Sequence, residues 1–259
     1  MDILRTDKLS KWFGGLCAVK EVSFSLVKGE IMGLIGPNGA GKTTLINLIS
    51  GVFPPTNGNI LYQGKNITRL KTHSLNKMGI ARTFQIVRIF KTLTVLENVL
   101  TAMVNRKRYG PWSLAWGSIF KRSGAFTDNK EACVKAEELL DFVGIGEYRD
   151  ELAENMPYAF SKRLEIARAL ATRPEVLLLD EPSSGLNPKE QNDQVEIIKK
   201  INQQGTTIMI IEHVMKVIME ISHRLIVLHY GEKIAEGEPE KVYSDPKVID
   251  AYLGGDADA

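Results

Sequence analysis

The chain has 259 residues, 44% of them hydrophobic and 25% charged, with a formal net charge of +2. That length accommodates one or two domains with a sizeable core, and the near-neutral balance excludes a strong global pull toward nucleic acid or anionic lipid. Its two cysteines, Cys17 and Cys133, lie far apart in the chain and form no ligand-like pair, which argues against a thiolate metal site or a disulfide framework and fits a reducing compartment.

In chain order, "MDILRTDKLSK" carries charges where a secretory signal needs an apolar stretch. No uninterrupted apolar run approaches the about 18 residues needed to span a bilayer, so the chain is expected to be soluble by itself. "AVKEVSFSLVKG" alternates with period two from Val22 to Leu26, Phe24 on the same face, as a half-buried strand does. "GEIMGLIG" is a short apolar run ending in glycine, the pattern of a buried strand. "KTTLINLIS" follows as a helix that Gly51 closes, and "GNILYQGKNI" reads as a strand pair turning at Gln63-Gly64.

From about Leu93 the period becomes helical, with Val95, Val99 and Ala102 on one face. Residues 105–127 form an irregular basic and aromatic segment with Trp112, Trp116 and Phe120, and "NKEACVKAEELLDFVG" is a helix stopping at Gly144. Met156 to Ser161 is expected to be a loop, with a helix from Leu164 marked by Leu164, Ala167 and Ala171. Then come the apolar run "VLLLDEP", a helix near 188–203, a strand "TTIMIIEH", short elements in "RLIVLHYGEKIAEG", and a polar end from Gly254 to Ala259 that is expected to fray. Strands at both ends and helices in the middle predict an α/β core interrupted by a helical subdomain.

The chemistry begins at "GPNGAGKTT", a match to G-x-x-x-x-G-K-[ST] through Gly36, Gly41, Lys42 and Thr43. Glycines let backbone N–H groups turn toward phosphate oxygens, here along Gly36, Asn38, Gly39, Ala40 and Gly41 and into Thr43 and Thr44 at the helix start. Lys42 is expected to reach the β- and γ-phosphates and Thr43 to coordinate Mg2+. "VLLLDEP" supplies Asp180 at a strand end, expected to hold Mg2+ through water, and Glu181, expected to polarise an attacking water. His213 follows a second buried strand and is placed to bond a γ-phosphate and that water, and Gln85 in "ARTFQIV" to reach Mg2+ or the water. Taken singly, a strand-end acidic pair, a histidine or a glutamine is commonplace; the combination is what points to nucleotide chemistry.

In this order and spacing the residues resemble an ABC-transporter ATP-binding subunit over nearly the whole chain. The resemblance implies a P-loop NTPase core with an antiparallel β subdomain and an inserted helical subdomain: one ATPase domain over 1–254, the helical part at about 92–168, and a tail at 255–259. It places Phe13 of "KWFGG" where an aromatic stacks on adenine, makes Gln85 the Q-loop residue, Asp180 the Walker B aspartate, Glu181 the catalytic base and His213 the switch histidine. "SSGLNP" resembles the D-loop, with Asn187 where many members have Asp. "GIARTFQIVRIFKTLTVLENVL", "SSGLNPKE", the 105–127 segment and "DPKVIDAYLG" are similar to an ATPase of branched-chain amino-acid uptake systems.

Membership of that group implies ATP and Mg2+ as bound partners, ABC permease subunits, and a second ATPase subunit, identical or different. It also implies an indirect link to a solute-binding protein and a cytoplasmic position on the inner face of the cell membrane, while the near-neutral charge leaves no footprint for nucleic acid as a partner. The family signature usually reads Leu-Ser-Gly-Gly-Gln before its helix and in the branched-chain group often Leu-Pro-Tyr-Gly. Pro157 and Tyr158 conform; Ala159 replaces the last glycine, and Phe160 and Ser161 stand where a glutamine is expected nearby. The expectation is that a Cβ at Ala159 obstructs approach to the partner's γ-phosphate or strains the loop, so that Ala159→Gly raises hydrolysis.

Two other readings are the ATPase of an exporter, for instance of lipid or lipopolysaccharide, and a non-transport P-loop regulator. A GTPase needs Asn-Lys-x-Asp, and neither Asn76-Lys77 nor Asn129-Lys130 has the Asp.

Overall fold

The computed structural model describes residues 1–103 and 130–253, so the 105–127 segment, its aromatic residues and the C-terminal tail lie outside the described residues. The chain divides into two compact units, Met1–Gln85 with Glu175–Ala259, and Ile86–Pro174.

The first unit is built on two sheets. Strands β1 (Asp2–Phe13), β2 (Leu16–Val27), β4 (Asn57–Tyr62) and β5 (Lys65–Asn66) form an antiparallel sheet in the order β2-β1-β4-β5. The turn at Gln63-Gly64 has both residues at positive φ, 48° and 75°, which matches the twist of a two-residue hairpin. The second sheet has the order β10-β9-β3-β8-β7-β6, from β3 (Ile31–Ile35), β6 (Ile80–Arg82), β7 (Val176–Asp180), β8 (Thr207–Ile211), β9 (Arg224–His229) and β10 (Glu232–Gly237). All its pairings are parallel except β9 with β10. Every residue of β3, β7 and β8 is buried, which explains why these stretches read as continuous apolar runs without alternation.

Helix α1 (Lys42–Ile49) contributes Leu45, Ile46 and Ile49 to the same buried cluster as Leu4 and Leu26 of the antiparallel sheet and Leu34, Met209 and Ile226 of the parallel one. Sequence reading did not resolve α2 (Thr72–Met78), whose seven residues are too short for a periodic signal.

In the second unit, α3 (Val95–Met103) starts at a capping box: Thr94 Oγ1 accepts from the Glu97 N–H at 3.1 Å and Glu97 Oε2 from the Thr94 N–H at 2.8 Å. Its fully buried Asn98 ties down the chain before it, donating to the carbonyls of Phe90 and Thr94 at 2.9 Å and accepting from the Phe90 N–H at 2.8 Å. Helices α4 (Lys130–Phe142) and α5 (Tyr158–Ala171) follow, with short 3-10 turns at Gly146–Tyr148 and Ala153–Asn155 between them.

One expectation is corrected here. The helix containing Leu164 begins at Tyr158 with Pro157 as its N-cap, so Ala159, Phe160 and Ser161 are helical and do not form a loop. Ala159 is 5% exposed and is not among the residues with positive φ, so its Cβ strains no backbone. The start was illegible because Pro157 offers no side-chain acceptor of the kind that marks a cap.

Helix α6 (Pro188–Gln203) starts as expected: Asn187 Oδ1 accepts from the N–H groups of Lys189 and Glu190 at 3.0 Å, and Glu190 Oε2 answers the Asn187 N–H at 2.9 Å. Helices α7 (Met215–Ile221), α8 (Pro239–Tyr243) and α9 (Pro246–Leu253) follow.

Candidate functional site: a phosphate loop at the carboxyl edge of a parallel sheet

Parallel strands point their carbonyl ends the same way, so residues far apart in sequence meet along one edge. The phosphate loop leaves β3, the 212–213 pair leaves β8, Asp180 ends β7 with Glu181 next, and Gln85 follows β6. Because β3, β8, β7 and β6 are neighbours in that order, the four motifs lie side by side.

The loop's glycines are required by space as well as by conformation. Gly36 and Gly41 have φ of 147° and 98°, and a Cβ would collide with the Leu228 carbonyl at the first and the Ala18 carbonyl at the second. The loop is braced from the β9–β10 turn, where the Gly231 N–H donates to the Ala40 carbonyl at 3.1 Å. Lys42 folds back over it, its Nζ donating to the carbonyls of Gly36 and Pro37 at 2.6 and 2.8 Å. Burial lowers the Lys42 pKa, and the charges of Glu181 and Asp180 partly oppose that. Asn38, Gly39 and Thr43 are exposed and Thr44 is half-buried, so the loop's rim faces solvent.

Glu181 is the convergence point. It is 8% exposed, and its φ of 50° places a non-glycine residue in the left-handed region, a conformation that survives where the surroundings over-determine it. Its N–H donates to the Ile211 carbonyl at 3.0 Å. His213 Nε2 stands 2.6 Å from Glu181 Oε1, and Gln85 Nε2 donates to Oε2 at 3.0 Å. Three of the residues singled out from sequence are thus brought into direct contact.

Asp180 is 2% exposed; its Oδ2 accepts from Arg82 Nη2 at 2.9 Å, and its Oδ1 has no hydrogen-bond partner. A buried carboxylate oxygen left open is what a cation site needs, and the Thr43 hydroxyl is also oxygen chemistry of the kind Mg2+ takes, so the donor set fits that ion.

Phe13 is half-exposed at the end of β1 and packs edge-to-face on Phe53 at 5.4 Å, with Lys11 Nζ about equally near both rings, at 5.1 and 5.0 Å. The signature residues sit in the other unit. Tyr158 is half-exposed, Ala159 and Ser161 are buried, and Phe160 packs on Tyr148 with ring centres 5.0 Å apart.

Sequence reading missed two residues. Buried Glu212 accepts from the Ser183 N–H at 2.7 Å and the His213 N–H at 3.2 Å, linking the segment after Glu181 to the histidine. Arg82 holds Asp180. Each is a charge on a buried side chain at the end of an apolar strand, Arg82 closing β6 and Glu212 following β8, and that incongruity was the available signal.

The ABC transporter family profile matches residues 19–184, and that of the branched-chain amino acid ATP-binding cassette transporters matches residues 232–258. The high-affinity branched-chain amino acid transport ATP-binding protein LivG of Escherichia coli (strain K12) is 42% identical over 253 residues, 97% of this chain and 98% of that protein. BraF of Pseudomonas aeruginosa, with the same description, is 40% identical over the same shares. A crystal structure of a nucleotide-free ATP-binding cassette from an ABC transporter superposes with a TM-score of 0.85 at 35% identity, covering 97% of this chain and 99% of that one. A dimeric post-hydrolysis cassette bound to ADP and Pi superposes with a TM-score of 0.76 at 26% identity, covering 91% and 98%. The chain belongs to the ABC transporter family, and within it to the branched-chain amino acid transport ATP-binding proteins.

Proposed function

We propose that this ABC-type ATPase binds Mg2+-ATP on the loop from Gly36 to Thr44, hydrolyses it with Glu181 as base, and so drives branched-chain amino acid import through a membrane permease. The convergence of His213 and Gln85 on Glu181 beside the phosphate loop carries this reading. Backbone N–H groups of the loop, Lys42 and the start of α1 bind the phosphates, which requires Lys42 to leave the Gly36 and Pro37 carbonyls. Glu181 takes a proton from the attacking water, and His213 and Gln85 orient its carboxylate. Asp180, Thr43 and Gln85 would hold Mg2+, which neutralises developing phosphate charge. Phe13 offers its half-exposed ring to adenine.

Two ATPase subunits, identical or different, close head to tail around two nucleotides, and each offers the segment Pro157, Tyr158, Ala159, Phe160 and Ser161 to its partner's nucleotide. The N-terminal end of α5 supplies donors and a favourable dipole there whatever the side chains. Closure shifts the permease between its states by differential affinity for ATP. The chain is then peripheral on the cytoplasmic face of the membrane, held by the permease, with a solute-binding protein on the other side. The branched-chain solute rests on similarity to LivG and BraF along nearly the whole chain. The test is reconstitution with the matching permease and binding protein in vesicles. ATP-dependent leucine uptake that Glu181→Gln abolishes is the expected result; a solute of another class, or outward movement of lipid, would overturn it.

A further inference from the structure

We propose that Arg82 is a positioning residue for the metal site: its guanidinium fork sets the distance between the Asp180 carboxylate and the helix that carries Thr43. Nη2 bonds Asp180 Oδ2 at 2.9 Å, while Nη1 bonds Asn47 Oδ1 at 2.6 Å and Ser50 Oγ at 3.0 Å, the first on α1 and the second its C-cap. Thr43, Asn47 and Ser50 are spaced i, i+4, i+7, which places them on one face of that helix. Arg82 therefore clasps the same helix face that presents the Thr43 hydroxyl, one turn and two turns further along.

Its register is set by β6, where Arg82 pairs with Leu178, two residues before Asp180. Because Oδ2 is occupied, Oδ1, which has no hydrogen-bond partner, is the oxygen offered to the cation. Side-chain exposures of 7% for Arg82 and 2% for Asp180 exclude the flexible surface pair that contributes little. A lysine, a point charge, cannot bridge a carboxylate and two helix acceptors as the planar fork does.

This inference rests on the Mg2+ reading above, and the test separates the two. ATP affinity is measured by equilibrium binding in Mg2+ and in EDTA for the wild-type chain, Arg82→Met, Arg82→Lys, Asn47→Ala and Asp180→Asn. Partners one shell out from a metal typically change its affinity 10–100-fold. The Mg2+-dependent gain in ATP affinity is therefore expected to fall about 10-fold in both Arg82 variants and by a smaller factor in Asn47→Ala, with the affinity in EDTA moving less than about 2-fold. A gain unchanged in Arg82→Lys and Asn47→Ala, or parallel losses with and without Mg2+, would overturn the inference and leave Arg82 as packing only. If Arg82→Met does not fold, the other two variants decide. If Asp180→Asn keeps the full gain, the Mg2+ reading fails and this inference fails with it; if only Asp180→Asn loses it, this inference alone fails.

Discussion

His213 Nε2 lies 2.6 Å from Glu181 Oε1, while the carboxylate's other oxygen accepts from Gln85. Three strands of one sheet thereby meet on a single acid at the edge where the phosphate loop emerges. The pair is charge-assisted when the imidazole carries both protons. Removal of a general acid–base partner typically costs 100- to 10,000-fold in rate. His213→Ala is expected to lower steady-state phosphate release by at least about 100-fold, and in a Glu181→Gln background to lower it no further, because the two act as a unit. Additive losses in that double variant would separate their roles.

Ala159 is helical, buried and outside the left-handed region, so the loop-strain argument for its substitution does not apply. Ala159→Gly is expected to destabilise the chain by about 0.5–1 kcal/mol through lost helix propensity, with no rise in hydrolysis. Thermal melting and phosphate release on the same samples check both; faster hydrolysis would restore a steric role for the Cβ.

Asn187 stands where many family members have Asp, and its side chain accepts two N–H groups at the start of α6. Asn and Asp are comparable caps, so Asn187→Asp is expected to leave stability nearly unchanged, whereas Asn187→Ala costs about 1 kcal/mol. Denaturant midpoints at constant m-value measure this.

Tyr62 is a buried phenol whose pKa is pushed up to about 12, first by burial and second by the Glu175 charge. Folding favours the neutral form, so the stabilisation is complete below the unfolded phenol's value near 10 and is lost as pH rises toward 12. The loss amounts to about 2–3 kcal/mol at most. Tyr62→Phe is expected to flatten alkaline unfolding between about pH 10 and 12. An unaltered alkaline profile would contradict it.

Much of this site was legible because its chemistry needs glycine at fixed spacing and apolar strands ending in polar residues. Gly36, Gly41, Lys42, Asp180, Glu181, His213 and Gln85 each stand where such a strand ends or a loop turns. Arg82 and Glu212 were not legible, since a single charge at the end of an apolar run reveals no partner until the sheet order brings Asp180 beside one and Ser183 beside the other. The start of α5 was missed because Pro157 caps it with backbone geometry alone, and α2 because seven residues display no period. In both cases tertiary packing, which local pattern does not encode, decides the element.

The most direct test compares the wild-type chain with Glu181→Gln for equilibrium Mg2+-ATP binding and steady-state hydrolysis. ATP affinity is expected to stay within about 3-fold of wild type and turnover to fall by at least about 1,000-fold, the span of a lost general base together with its orienting contacts. Turnover near the wild-type rate would remove Glu181 from the chemistry; equal loss of binding and turnover would make it a residue of the fold.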